Sequence, residues 1–160
     1  MTQNHNTIQT LANLGIELPK PPPAVASYVP VRIDGDHAHV SGQLPFVDGN
    51  LPQTGRVGVD VGLEQAQGLA RTCAINGLAA LHEYAGGLDN IAGIVRVGIF
   101  VACAPDFSDH PKVGNGASEL FQKVFGEHGR HARAAVGCTS LPLASPVEVE
   151  VLARLKHSLE

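Results

Sequence analysis

The segment Val147-Glu148-Val149-Glu150-Val151 alternates strictly between β-branched apolar residues and carboxylates. An extended strand sends successive side chains to opposite sides, so the three valines share one face and the two glutamates the other. The valines ask for a core. The glutamates cost free energy to bury, so their side of the sheet is wet, paired or occupied by something with a job. A chain built around such a strand needs a sheet covered on one face only.

The cover comes from two helices. From Leu63 to Tyr84, Ala66, Leu69, Ala70, Cys73, Ala74, Leu78 and Leu81 recur at steps of three and four, with Asp60 as a candidate cap and Gly86-Gly87 as the stop. A second helix is expected over roughly Pro111 to Phe125, with Ala117, Leu120, Phe121 and Val124 on its stripe and Gly126 at its end. Strands are expected over Tyr28 to Ile33 and His37 to Gly42, joined by the Asp34-Gly35 turn. Another is expected over Ile94 to Ala102, with Val95, Val97, Ile99 and Val101 on one face and Arg96, Gly98 and Phe100 on the other. The stretch from Gly129 to Val151 reads as a closing pair of strands. The order β-β-α-β-α-β-β gives an α+β domain, one mixed sheet with both helices on one face.

A short helix over residues 6 to 15, capped by Asn6 or Thr7 and ended by Gly15, precedes this unit, followed by a proline-rich tether from Leu18 to Pro23. Residues 1–23 are thus read as an N-terminal extension, 24–156 as the domain and 157–160 as a tail, with Leu159-Glu160 resembling a cloning remnant. The 160 residues suffice for one core. A net charge of −4 offers nothing to nucleic acid or an anionic membrane, and no apolar run is long enough to span a bilayer. No signal peptide is read at the start. Cys73, Cys103 and Cys138 are widely spaced and read as small core residues of a reducing compartment, which makes a cytoplasmic location the expectation.

Arg133 opens the first closing strand, with Ala135, Gly137 and Thr139 on its face. Whether that is also the glutamate face is not fixed by periodicity. A guanidinium fork beside small residues suits a carboxylate held by two parallel hydrogen bonds, and so a small organic acid. The plain alternative is a cross-strand ion pair between Arg133 and a glutamate on the neighbouring strand, which does nothing else.

Four motifs in order give the chain a resemblance. They are "AVASY" (Ala24 to Tyr28), "VSGQLP" (Val40 to Pro45), "NGASELF" (Asn115 to Phe121) and "HAR…LP…PVEVE" (His131 to Glu150). Together they make the stretch from Ala24 to Leu155 similar to the Rid family, the reactive-intermediate deaminases also called YjgF-like or L-PSP proteins. "GRHARAAVG" and the N-terminal extension resemble a longer-chain subgroup. The resemblance implies a chorismate-mutase-like fold and a homotrimer whose three open sheets close into a barrel, with helices outside and clefts between subunits. It implies hydrolytic deamination of enamine or imine intermediates derived from amino acids, with no metal and no organic cofactor. Carried over, Arg133 anchors the substrate carboxylate and Glu148 is the general base that places a water. Tyr28, the backbone at Gly42, Phe100, Asn115 and Ala135 shape the cleft. Many members have a serine and then a cysteine after the arginine; here Ala134 and Ala135 stand there. A different or larger substrate follows, or a site that binds a 2-oxo acid without turning it over. A third reading makes Arg133 and Glu148 staples of the trimer alone.

Other features point less far. His37 and His39 share a strand face but lack a third ligand, and His128 and His131 on a Gly-rich turn are read as surface residues. Gly114 and Gly116 are expected to open a helix without a phosphate fingerprint.

Overall fold

β-Branched runs become strands, and β5 (Val147–Leu155) is the central one. In the computed structural model, which describes residues 6–21 and 27–159, five strands form one sheet in the order β1-β2-β5-β3-β4. The others are β1 (Val31–Asp34), β2 (His37–Gln43), β3 (Ile91–Ala102) and β4 (Ala132–Cys138). β5 is antiparallel to β2 and β3, while β4 runs parallel to β3 at the far edge. Parallel neighbours need a crossover, and α3 (His110–Phe125) provides it. The sheet is therefore mixed, as expected, with α2 (Leu63–Tyr84) and α3 on it.

The alternation in β5 holds throughout. Val147, Val149 and Val151 are buried under the helices, and Glu148 and Glu150 are half-buried on the opposite side. Gly116 lets α2 and α3 approach closely, because a Cβ there would collide with the Gln67 carbonyl oxygen.

Several expectations change. The closing strands are not neighbours: β3 lies between β4 and β5, so no Arg133–Glu148 pair of adjacent strands exists. β1 begins at Val31 and not at Tyr28, since Pro30 has no N–H to give the ladder. β3 starts earlier, at Ile91, and its register slips between Ile94 and Arg96. That irregularity turns Val95 outward, to 38 % exposure, while Ile94 takes the core side. Asp60 does not cap α2. Gly62 holds the cap position, and the Asp60 carboxylate instead accepts from the Arg56 N–H at 2.8 Å within the loop. Gly114 and Gly116 lie inside α3, whose first residue is His110.

α1 (Thr7–Asn13) is capped by Asn6, whose side chain accepts from Gln9 N–H, and is docked on the domain. Leu11 and Ile16 join the common core, and the Thr7 N–H donates to the Asp89 carboxylate at 3.0 Å. The first proline-rich residues after it are described, but Pro22 to Ala26 lie outside the described residues, and with them most of "AVASY".

Candidate active site

The sheet has two faces, and the candidate residues divide between them. Register fixes the division. Arg133 pairs with Val97 and Ala135 with Ile99, so both project to the helix side. Glu148 pairs with Phe100 and Glu150 with Gly98, on the open side. Two strand spacings and three residues of rise separate Arg133 from Glu148, on the order of 14 Å between Cα atoms.

On the helix side, α3 holds the Arg133 guanidinium. One nitrogen, Nη1, donates to Asn115 Oδ1 and to Ser118 Oγ, each at 3.0 Å. Gly114 makes room, because a Cβ there would lie 3.2 Å from that nitrogen and 3.1 Å from Ile99. Nη1 has two hydrogens, and both are used. The Nε–Nη2 edge of the fork remains, and among the described residues Arg133 has no carboxylate partner. Ala135 and Gly137 continue the same face of β4 without polar side chains.

On the open side, Glu150 takes the Arg96 guanidinium at 2.9 Å. Glu148 keeps Phe100 as its cross-strand neighbour and Gly42 beside it. A Cβ on Gly42 would collide with Glu148 Oε1. Burial first, and the like charge of Glu150 second, hold the Glu148 carboxyl above the ordinary carboxylate range. Tyr28 is exposed just ahead of β1. Its segment is tied to β2 beside Gly42: Ser41 N–H donates to the Pro30 carbonyl at 3.0 Å and Ser41 O–H to the Val29 carbonyl at 2.7 Å.

Two groups therefore form. Arg133, Asn115 and Ala135 make one; Glu148, Gly42 and Phe100, with Tyr28 nearby, make the other. The first also contains residues that sequence reasoning missed. Ser118 lies in a quoted motif but was not singled out, and His131, read as a surface residue, is half-buried and doubly hydrogen-bonded. Its partners are the Gly129 carbonyl two residues back and the Ser118 hydroxyl 13 residues away, and no spacing rule reveals the second. His128 is exposed, and His37 Nδ1 lies 2.7 Å from Asp36. No three His, Cys, Asp or Glu side chains converge to hold a metal ion among the described residues.

The cysteines are less uniform than expected. Cys73 is buried, but Cys103 Sγ lies 3.4 Å from His110 Nε2, and both line a cavity of about 370 Å³ with Cys138, Phe107 and Gly137. Burial raises both of those thiols above the usual cysteine range, so they stay protonated near neutrality.

Residues 9–155 match the family model described as "YjgF/chorismate mutase-like, putative endoribonuclease". The chain belongs to this family. Protein TCP17 of Trypanosoma cruzi is 39% identical over 148 residues, 92% of each chain. Protein MMF1, mitochondrial, of Saccharomyces cerevisiae is 33% identical over 136 residues, covering 85% of this chain and 80% of its own. The crystal structure of Atu1372 from Agrobacterium tumefaciens, a protein of unknown function, superposes with a TM-score of 0.88 at 41% identity, over 96% of this chain and 95% of its own. The YjgF-like, chorismate-mutase-like fold expected from the four motifs is thus the family's fold. No helix of the described residues is long and apolar enough to cross a membrane.

Proposed function

We propose that this family member hydrolyses imine or enamine intermediates derived from amino acids, in clefts completed between copies of the chain. The observation that carries the reading is the Arg133 guanidinium, pinned through one nitrogen and carrying no carboxylate, with its fork open to a ligand. Such a fork takes a carboxylate in two charge-assisted hydrogen bonds.

The chemistry then needs a water and a base. Glu148 accepts a proton from a water whose oxygen attacks the imine carbon. Glu148 hands that proton to the nitrogen, the hydroxyl proton of the resulting carbinolamine follows it as the C–N bond breaks, and ammonia and a 2-oxo acid leave. A raised carboxyl is a better base at working pH than an ordinary one, and its burial supports that role. Because Arg133 and Glu148 occupy opposite faces about 14 Å apart, one small substrate meets both only where the edge of one sheet approaches the open face of another copy. A closed trimer supplies that meeting three times, and it also covers the sheet face that the helices leave bare.

The decisive experiment is ammonia release from imines generated in situ by an amino-acid oxidase, across a panel of amino acids, with wild type and Arg133→Ala in parallel. Acceleration by wild type alone supports the reading and ranks substrates by side chain. Equal rates with both proteins remove Arg133 from the site.

Gly42→Ala is expected to lower the same activity with little change in melting temperature. What the new methyl group displaces is the far end of a flexible side chain, Glu148, and not backbone. A variant with undiminished turnover would show that Glu148 is not used where it stands.

A second reading is specific to Ala134 and Ala135. They leave no polar side chain on β4 next to Arg133, which suits a site that binds a 2-oxo acid and releases it unchanged. Saturable binding without acceleration would favour it. The ribonuclease description carried by the family finds little support in a chain of net charge −4 with seven aromatic residues.

A further inference from the structure

We infer that His131, acting through Ser118, is a positioning residue that sets the orientation of the Arg133 guanidinium. The inference deepens the proposed anchor but does not depend on it, since it concerns how the arginine is held and not what it binds.

The geometry is a relay of three links. His131 Nδ1 lies 2.7 Å from the Gly129 carbonyl, which can only accept, so Nδ1 carries the hydrogen. In the neutral ring Nε2 is then an acceptor, and Ser118 Oγ, 2.9 Å away, donates to it. With its own hydrogen committed, the Ser118 oxygen turns its lone pairs to Arg133 Nη1 at 3.0 Å. The Gly129 carbonyl thus dictates the tautomer, the tautomer dictates the hydroxyl, and the hydroxyl and Asn115 together fix the plane of the guanidinium. The pieces are rigid. Ser118 is 7 % exposed on α3, Gly129 cannot carry a Cβ without striking the Phe121 carbonyl, and the Phe121 ring meets the His131 ring edge to face at 5.9 Å.

The neutral state of His131 is built in. Around the ring, α3 offers a hydroxyl and an aromatic ring, the preceding turn a carbonyl, and β4, which begins one residue on, a cation, Arg133. Glu127 is engaged with Arg130 at 3.3 Å in that turn. Burial, opposed by the Gly129 carbonyl and joined by Arg133, holds the imidazole below its ordinary value. On protonation Nε2 becomes a donor. Ser118 Oγ then accepts from two cations at once while its hydrogen turns elsewhere, and the repulsion between those cations weakens its hold on the guanidinium.

The test reads the guanidinium directly. Carbon-detected NMR of arginine-labelled protein reports rotation about the Nε–Cζ bond of Arg133. At pH 7 rotation is expected to be slow in wild type and in His131→Gln, whose amide oxygen replaces the acceptor. It is expected to be fast in His131→Phe and Ser118→Ala. On acidification wild type should loosen at a midpoint below about 6.5, whereas His131→Gln should not respond. Affinity for 2-oxobutanoate, used as the probe, should fall about tenfold in Ser118→Ala and be retained in His131→Gln. Slow rotation in both His131→Phe and Ser118→Ala overturns the relay, and so does loosening of His131→Gln at the same pH as wild type. If rotation follows the variants but no 2-oxo acid binds wild type, the relay stands and the proposed anchor falls.

Discussion

Two inactive variants, mixed, are expected to regain activity. Arg133→Ala removes the proposed carboxylate anchor and Glu148→Gln the proposed base, the latter expected to cost about 10²–10⁴-fold in rate. The structure puts these residues on opposite faces of one sheet, with β3 between their strands. If each cleft takes Arg133 from one copy and Glu148 from the next, chains exchanged at equal amounts leave about one cleft in four with both native residues, by the symmetry of a closed ring. The measurement is ammonia release after unfolding and refolding the two variants together, against each refolded alone. Recovery near a quarter of wild type supports the shared cleft. A mixture no better than its parts means that both groups come from one chain, and that the edge strand must bend round its own sheet.

Phe121→Ala is expected to cost about 3–5 kcal/mol of stability, the largest effect of any single truncation considered. The ring is fully buried, lies on the stripe of α3 facing the sheet, and touches His131 edge to face. Its loss leaves a cavity between helix and sheet that neighbours fixed by the Gly116 and Gly129 contacts cannot close. Urea unfolding would read the effect. A cost below about 1 kcal/mol would mean that α3 settles inward, contrary to the rigid spacing described. Such settling would also disturb Asn115 and Ser118, so carboxylate affinity measured well below the melting point separates a filled cavity from a moved helix.

The fold and part of the candidate site were legible in the residues. The valine–glutamate alternation of β5, the Leu63–Tyr84 stripe and the Asp34-Gly35 turn act within one element, and periodicity reads them. The partner of a strand is a different matter. Chain order suggested that β4 and β5 pair. The insertion of β5 between β2 and β3 depends on the α3 crossover, which no local pattern announces. The face of Arg133 was open for the same reason, because β4 is built mainly of small residues on both sides and carries no amphipathic signal. Val95 was misplaced because a one-residue slip reverses every side chain beyond it. His131 and Ser118 were passed over because their meaning lies in two hydrogen bonds across a sequence gap of 13 and 15 residues.

The exposure of β4 carries a consequence for how such a protein can change over generations. Five of its seven residues are exposed in the single chain, and Ala135 and Cys138 are only partly covered. Substitutions at exposed positions away from special contacts usually alter stability by less than about 0.5 kcal/mol. At the exposed positions of β4 other than Arg133 and Gly137, sequence drift therefore costs the monomer little, while the buried faces of the helices behind it tolerate almost none. A lineage can exchange an exposed residue beside Arg133, such as Ala134, and explore new ligands from a scaffold that hardly registers the experiment.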